Sequence, residues 1–87
     1  MPVDVMENDR PEVPIDDLRA AAGSQADAHA ALGAFHAEYE RDAPDRGRLE
    51  DHASRLRAIP DIVGPFERWW LDPRVQAFVS ELNATGL

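Results

Sequence analysis

Three residues of the sequence have the types and the spacing of a metal site: His29, His36 and Glu40. At about 100° per residue they form one stripe on an α-helix. His36 and Glu40 are four residues apart, which brings them close enough to share an ion, although a further ligand would be needed from His52 or from another chain across a symmetric interface. The same pair is also an ordinary feature of a solvated helix. We therefore predict no metal and no cofactor, and keep the three residues as the alternative.

A second group, centred on two adjacent tryptophans, has the composition of a protein-binding surface. Trp69 and Trp70 point about 100° apart on a helix, so one indole can complete the core while the other faces outward. Trp and Arg are the residue types that contribute most often to binding hot spots. We predict a partner-binding surface, and the alternative is that both indoles pack internally. The surface consists of Phe66, Arg68, Trp69, Trp70 and Arg74.

Other catalytic arrangements are missing from the sequence. It has no cysteine, which excludes thiolate nucleophiles, disulfides and cysteine-ligated metals. No serine lies in a Gly-x-Ser-x-Gly or Ser-x-x-Lys context, and there is no glycine-rich phosphate loop. A net charge of −8 disfavours binding to nucleic acids and to anionic membrane surfaces. We predict that the protein is not an enzyme and binds neither nucleic acid nor membrane.

Acidic residues are concentrated near the N-terminus. Residues 1–17 contain six acidic residues and one arginine, together with three prolines that disfavour regular structure. We predict a flexible acidic arm over residues 1–14 and a single helical domain over residues 15–87. The negative charge favours a basic protein as the partner, although solubility alone also explains it.

Helix signals cover the rest of the chain, and no segment alternates with the period of a strand. Apolar spacing together with start and stop residues predicts an all-α bundle of four to five short helices. They run from Ile15 to Ala22, from the N-cap Ser24 (with Asp27 as its capping-box partner) to about Arg41, from Pro44 to Ile59, from Gly64 to Leu71, and from Pro73 to a stop at residues 83–86.

The chain, at 87 residues, is short for a core that must stabilise it alone. Ordering about 70 residues costs on the order of 100 kcal/mol, which domains of this size only just recover. We therefore predict a homodimer or a hetero-complex.

The leading functional hypothesis is a non-catalytic protein-binding module: an inhibitor, an immunity-type protein, or a regulatory or accessory subunit. The alternative is a homo-oligomeric structural or small subunit whose chains pair through the alanine-rich helix and the C-terminal helix, with Ala28, Ala31 and Ala34 allowing close approach. The sequence shows neither a membrane span nor a secretion signal, which predicts a cytoplasmic protein. Its lysine-free, alanine- and arginine-rich composition is typical of a high-GC bacterial genome.

Overall fold

The computed structural model describes residues 10–82, which contain five α-helices and no strand. The predicted all-α bundle is confirmed. Within the described part of the chain, none of the helices has the length and apolar character that crossing a bilayer requires. The helices are α1 Ile15–Ala22, α2 Ala26–Tyr39, α3 Arg46–Arg57, α4 Pro60–Trp70 and α5 Pro73–Ser80.

One apolar core joins all five helices, because each of them turns a helical stripe of large side chains inward. Burying a side chain of this size stabilises the fold by about 1.5–3 kcal/mol. The largest fully buried side chains are Leu18 of α1, Leu32, Phe35 and Tyr39 of α2, Leu49 and Leu56 of α3, Ile62 and Phe66 of α4, and Val75 of α5.

The start of α2 differs from the predicted capping box. The N-cap is Gln25 and not Ser24, and its side chain makes no capping hydrogen bond. Gly23, with a φ of 62°, closes α1, and the amide of Gln25 then donates to Ala22 O, which moves the boundary one residue along. The side chain of Gln25 instead donates to Asp61 of α4 over 2.6 Å. A contact between helices thus takes the place of the local cap.

The start of α4 was also predicted wrongly, since the helix begins at Pro60 and not at Gly64. Pro60 takes the first helical position, where a missing N–H costs nothing. Pro65 then lies inside the helix and removes the hydrogen bond to the carbonyl of Asp61. The helix continues through this defect because Ile62, on its first turn, is fully buried in the core.

The folded domain includes residues 10–14, which were predicted to belong to the flexible arm. Val13 is 3% exposed and lies in the core. The Tyr39 hydroxyl donates to Pro11 O, and the Arg10 side chain donates to Tyr39 O. We call residues 10–14 the strap. The arm's remaining residues, 1–9, and the predicted stop at residues 83–86 lie outside the described residues.

Candidate functional site

An aromatic cluster fills the space between α2 and α4. Phe35 lies at its centre, with its ring centroid 5.2 Å from that of Phe66, 6.0 Å from Trp69 and 5.8 Å from Trp70. All three contacts have edge-to-face geometry, which aromatic pairs prefer over face-to-face stacking. The cluster fixes how the C-terminal end of α4 is presented to solvent.

Two of the predicted binding residues lie inside this cluster and not on the surface. Phe66 is 0% exposed and Trp70 is 6% exposed, and their rings stack with centroids 5.6 Å apart. They are four residues apart and share the buried face of α4. A partner cannot contact Phe66 or Trp70 in this fold, and the predicted surface is corrected in that respect.

Trp69 lies at the edge of the cluster and is half-buried. Its ring centroid is 5.4 Å from that of Tyr39 and 6.1 Å from that of Phe66. The indole Nε1 is buried and has no hydrogen-bond partner within residues 10–82. A buried donor left unpaired costs about 1–3 kcal/mol. The indole of Trp69 is therefore held by packing, without a hydrogen bond from Nε1 to any described residue.

The α4–α5 corner carries the remaining predicted residues. Leu71, which was not among the predicted binding residues, is also there; it is 57% exposed and is the one large hydrophobic side chain exposed among residues 10–82. Arg68 and Arg74, three residues before and after it, are also exposed. Asp72 caps α5 by accepting from the amide of Arg74 over 2.8 Å. We call Arg68, Trp69, Leu71 and Arg74 the corner surface.

The side chains of Arg68 and Arg74 in the corner surface make few contacts with the described residues. Arg68 makes no ion pair or side-chain hydrogen bond with any described residue. Arg74 Nε lies 3.5 Å from Asp72 Oδ1, an oxygen that already accepts from the Arg74 amide. Both guanidinium groups can therefore donate to another molecule without breaking a buried contact.

The three candidate metal ligands do not form a site. His29 Nε2 lies 2.7 Å from Gly23 O, so this ring is engaged with the turn before α2. His36 pairs with Glu40 at 3.7 Å. Seven residues of helix separate the two histidines by about 10 Å along the axis, too far for one ion. Among residues 10–82, no group of three or more His, Cys, Asp or Glu side chains could hold a metal. Within the described part of a single chain, His29, His36 and Glu40 therefore do not complete the alternative metal site.

Sequence reasoning missed two buried carboxylates, which join α2 to the start of α3. Glu38, 7% exposed, accepts from the amide of Asp45 over 2.8 Å and from Arg41 Nη1 over 3.1 Å. The bond from the Asp45 amide, helped by Arg41, lowers the pKa of Glu38 although burial opposes this. Asp45 caps α3 by accepting from the amide of Gly47. The signal was present, since Glu38 is beside the apolar stripe of α2.

Sequence reasoning also missed the position of Arg10. Its guanidinium carbon lies 5.1 Å from the ring centroid of Phe78 and 5.9 Å from that of Tyr39. Its Nη1 donates to Tyr39 O over 3.0 Å and to Arg41 O over 3.2 Å. Burial raises the pKa of Tyr39, so its hydroxyl stays protonated and donates to Pro11 O. We call these two rings and two carbonyls the Arg10 seat.

Comparison with known proteins adds no relative to this description. No family model matches the chain, and no curated protein or solved structure matches it significantly. The function must therefore be argued from the corner surface and the Arg10 seat themselves.

Proposed function

We propose that this chain is a non-catalytic protein-binding module, acting as an inhibitor, an immunity-type protein or a regulatory or accessory subunit in the bacterial cytoplasm. The observation that carries the proposal is the exposure of Leu71 between two exposed arginines, Arg68 and Arg74. Complete burial of an exposed leucine side chain gains about 1.5–3 kcal/mol, and Leu71, which is 57% exposed, can gain part of that in an interface. Arginine is among the residue types enriched at binding hot spots. The corner surface therefore combines an apolar anchor with charged donors around it.

The support beneath the corner surface favours the proposal. Trp70 and Phe66 pack directly under it, and Gln76 of α5 donates to Trp70 O over 2.6 Å. These contacts hold the end of α4 and the start of α5 in one arrangement. A preorganised surface loses less conformational entropy when a partner binds.

The charge of the chain favours a basic partner. Its net charge of −8 attracts such a protein over distance and raises the association rate at low salt. The corner arginines would then donate to carbonyl or carboxylate oxygens at the contact itself. The distant charge and the local contacts thus have separate roles in association.

The partners of Glu38, Asp45 and His29 favour a role without catalysis. Glu38 accepts from the Asp45 amide, and Asp45 accepts from the Gly47 amide. His29 is engaged with Gly23 O. Each of these groups holds backbone in place, which is a structural task.

A pair of variants tests the proposed surface. Leu71→Asp places a charge at the centre of the corner surface, and Ser54→Asp places the same charge on the exposed side of α3. Immobilised wild-type chain and S54D should capture the same protein from a lysate of the native cells. L71D should capture at least tenfold less of it. Equal capture by L71D and S54D, or no protein captured by the wild type, would count against the proposal.

A second candidate function, a homo-oligomeric subunit, is favoured by the outer face of α2. Ala30, Ala34 and Ala37 are exposed there, and a Cβ on Gly33 would meet nothing within 4 Å. Small side chains allow two helices to approach closely. Ala28, which was predicted to lie in such a contact, is buried in the chain's own core and is not available.

Mass in solution separates the two candidates. Light scattering across a concentration series should give the mass of one chain if the corner surface binds a different protein. A stable dimer that Ala34→Glu dissociates would favour pairing through α2 instead. Ser54→Glu is the matched control for the added charge.

A further inference from the structure

We infer that the Arg10 seat is an arginine-binding site that the chain's own Arg10 fills, and that a protein partner fills it with an arginine of its own after displacing the start of the strap. This inference rests on the proposed function, since it takes the partner to be a protein. It adds the chemistry by which that partner is recognised.

The rings and carbonyls of the seat match the contacts that a guanidinium group makes. The Tyr39 and Phe78 rings both lie within 6 Å of the Arg10 guanidinium carbon, the range in which a cation is attracted to a ring face. Two carbonyls accept from the same nitrogen of Arg10. A planar guanidinium stacks on rings while it donates in its plane, and a lysine ammonium cannot do both.

The carbonyls of the seat lie at the end of a helix. Tyr39 is the last residue of α2, and Arg41 follows the C-cap Glu40. The final carbonyls of a helix have no partner within it and carry the negative end of its dipole. Glu40 adds a formal negative charge in the same turn. A cation is therefore favoured in the seat whichever chain supplies it.

The first residues of the strap are attached mainly through side chains. Residues 10–12 make no backbone–backbone hydrogen bond with the rest of the described chain. The Tyr39 hydroxyl bond to Pro11 O holds them, together with the contacts of Arg10. Val13, further along, is buried in the core. Opening the seat thus requires loss of a few contacts of residues 10–12 and leaves the helices intact.

The seat is linked to the corner surface by ring packing. The Tyr39 ring, which forms one side of the seat, lies 5.4 Å from the ring of Trp69. Phe78, which forms the other side, belongs to α5, the helix that starts at the corner. We therefore assign the seat and Trp69 to one interface with the partner.

The Arg10→Ala variant of the full chain tests the inference with a small probe. N-acetyl-L-arginine methylamide should bind R10A about tenfold more tightly than it binds the wild type, because in the wild type Arg10 occupies the seat most of the time. NMR titration should show the largest shifts at the Tyr39 and Phe78 rings. The control probe, N-acetyl-L-lysine methylamide, should bind R10A at least tenfold more weakly than the arginine probe.

A second substitution removes the ring that recognises arginine while an apolar side chain still fills that side of the seat. R10A combined with Phe78→Leu keeps an apolar side chain but loses a ring face. The double variant should bind the arginine probe at least tenfold more weakly than R10A does. The inference is overturned if folded R10A binds the two probes equally, or if the double variant binds arginine as tightly as R10A does.

Tyr39→Phe provides a test in case R10A does not fold. This change keeps both rings and Arg10 but removes the hydroxyl bond to Pro11 O. The strap should then leave the seat more often, and the arginine probe should bind several-fold more tightly than it binds the wild type. An unchanged affinity would overturn the inference.

Failure of this inference is distinguishable from failure of the proposed function. If R10A binds no arginine probe while L71D still loses the captured protein, only the arginine site is wrong. If R10A binds the probe while L71D and S54D capture equally, the corner surface is wrong and the seat remains.

Discussion

The C-terminal half of α2 contacts α4 through aromatic rings, and it contacts the start of α3 through the buried carboxylate of Glu38. The aromatic joint consists of Phe35, Phe66 and Trp70, whose rings meet within 6 Å. The polar joint consists of Glu38, Arg41 and Asp45, connected by hydrogen bonds and an ion pair. Both hold the same helix, but they do so by different physical means.

The two joints differ in how strictly they fix the orientation of the helices and in how their stability depends on pH. Apolar burial is proportional to area and depends little on orientation, so the aromatic joint is large in energy and insensitive to pH. A carboxylate that accepts a backbone N–H fixes one geometry and depends on its own ionisation. The aromatic joint therefore supplies stability, and the polar joint fixes where α3 starts.

The largest expected effect is at the aromatic joint. Trp70→Ala removes a 6% exposed side chain and leaves a cavity beside Phe66, which should lower the free energy of unfolding by about 3–5 kcal/mol. Urea denaturation followed by circular dichroism measures it. Trp69→Ala is the matched control and should cost less, because Trp69 is half-buried. Equal losses for the two variants would contradict the distinction between core and edge.

The next effect is at the polar joint. Glu38→Gln keeps an oxygen for the Asp45 amide but loses the ion pair with Arg41, and it should lower the free energy of unfolding at pH 7 by about 1–3 kcal/mol. Glu50→Gln, at an exposed position on α3, is the control and should change the free energy of unfolding little.

The pH dependence of the same variant sharpens the comparison. The pKa of Glu38 is lowered in the folded state, so its contribution is present above the ordinary glutamate pKa and is lost as the pH falls through the lowered value. The stability difference between wild type and E38Q should shrink when urea denaturation is repeated at pH values from 7 down to 3. The difference between wild type and W70A should not follow that course. If the E38Q difference were constant with pH, the account of the polar joint would be wrong.

The smallest effect is expected at the edge of the aromatic joint. Trp69→Phe keeps a ring against Tyr39 and removes a buried N–H that has no partner among the described residues. The loss of packing and the relief of the unpaired donor offset each other, so the free energy of unfolding should change by less than about 1 kcal/mol. A loss above 2 kcal/mol would mean that Nε1 is hydrogen-bonded in solution.

The helices were predictable because their signals are local. The acidic first turn with Asp16 and Asp17, together with the closing Gly23, predicted α1 with its observed bounds, and Asp72 with Pro73 predicted the start of α5. The start of α4 was not predictable in the same way, since it depends on the burial of Ile62 by other helices. The sequence pattern alone predicts a helix boundary at a proline, but tertiary packing keeps the helix continuous through Pro65.

The candidate site was predictable only in its composition. The sequence indicated aromatic and arginine residues near positions 66–74, but which indole is covered depends on where Phe35 of α2 lies. In the Arg10 seat, Arg10 contacts two carbonyls that lie 29 and 31 positions away along the chain, and no local pattern encodes such a contact. Glu38 lies beside a predicted apolar stripe, but its partner is the backbone of Asp45, which becomes available only when α3 starts there.

The central claim is that a different protein contacts the corner surface, and photo-crosslinking in the native cells tests it most directly. A benzophenone amino acid is placed at Leu71 in one variant and at Ser54 in another, both of which are exposed positions. The account predicts a discrete heterologous adduct from position 71 and none from position 54. Adducts of equal yield from both positions, no adduct at all, or an adduct of two copies of this chain would contradict it.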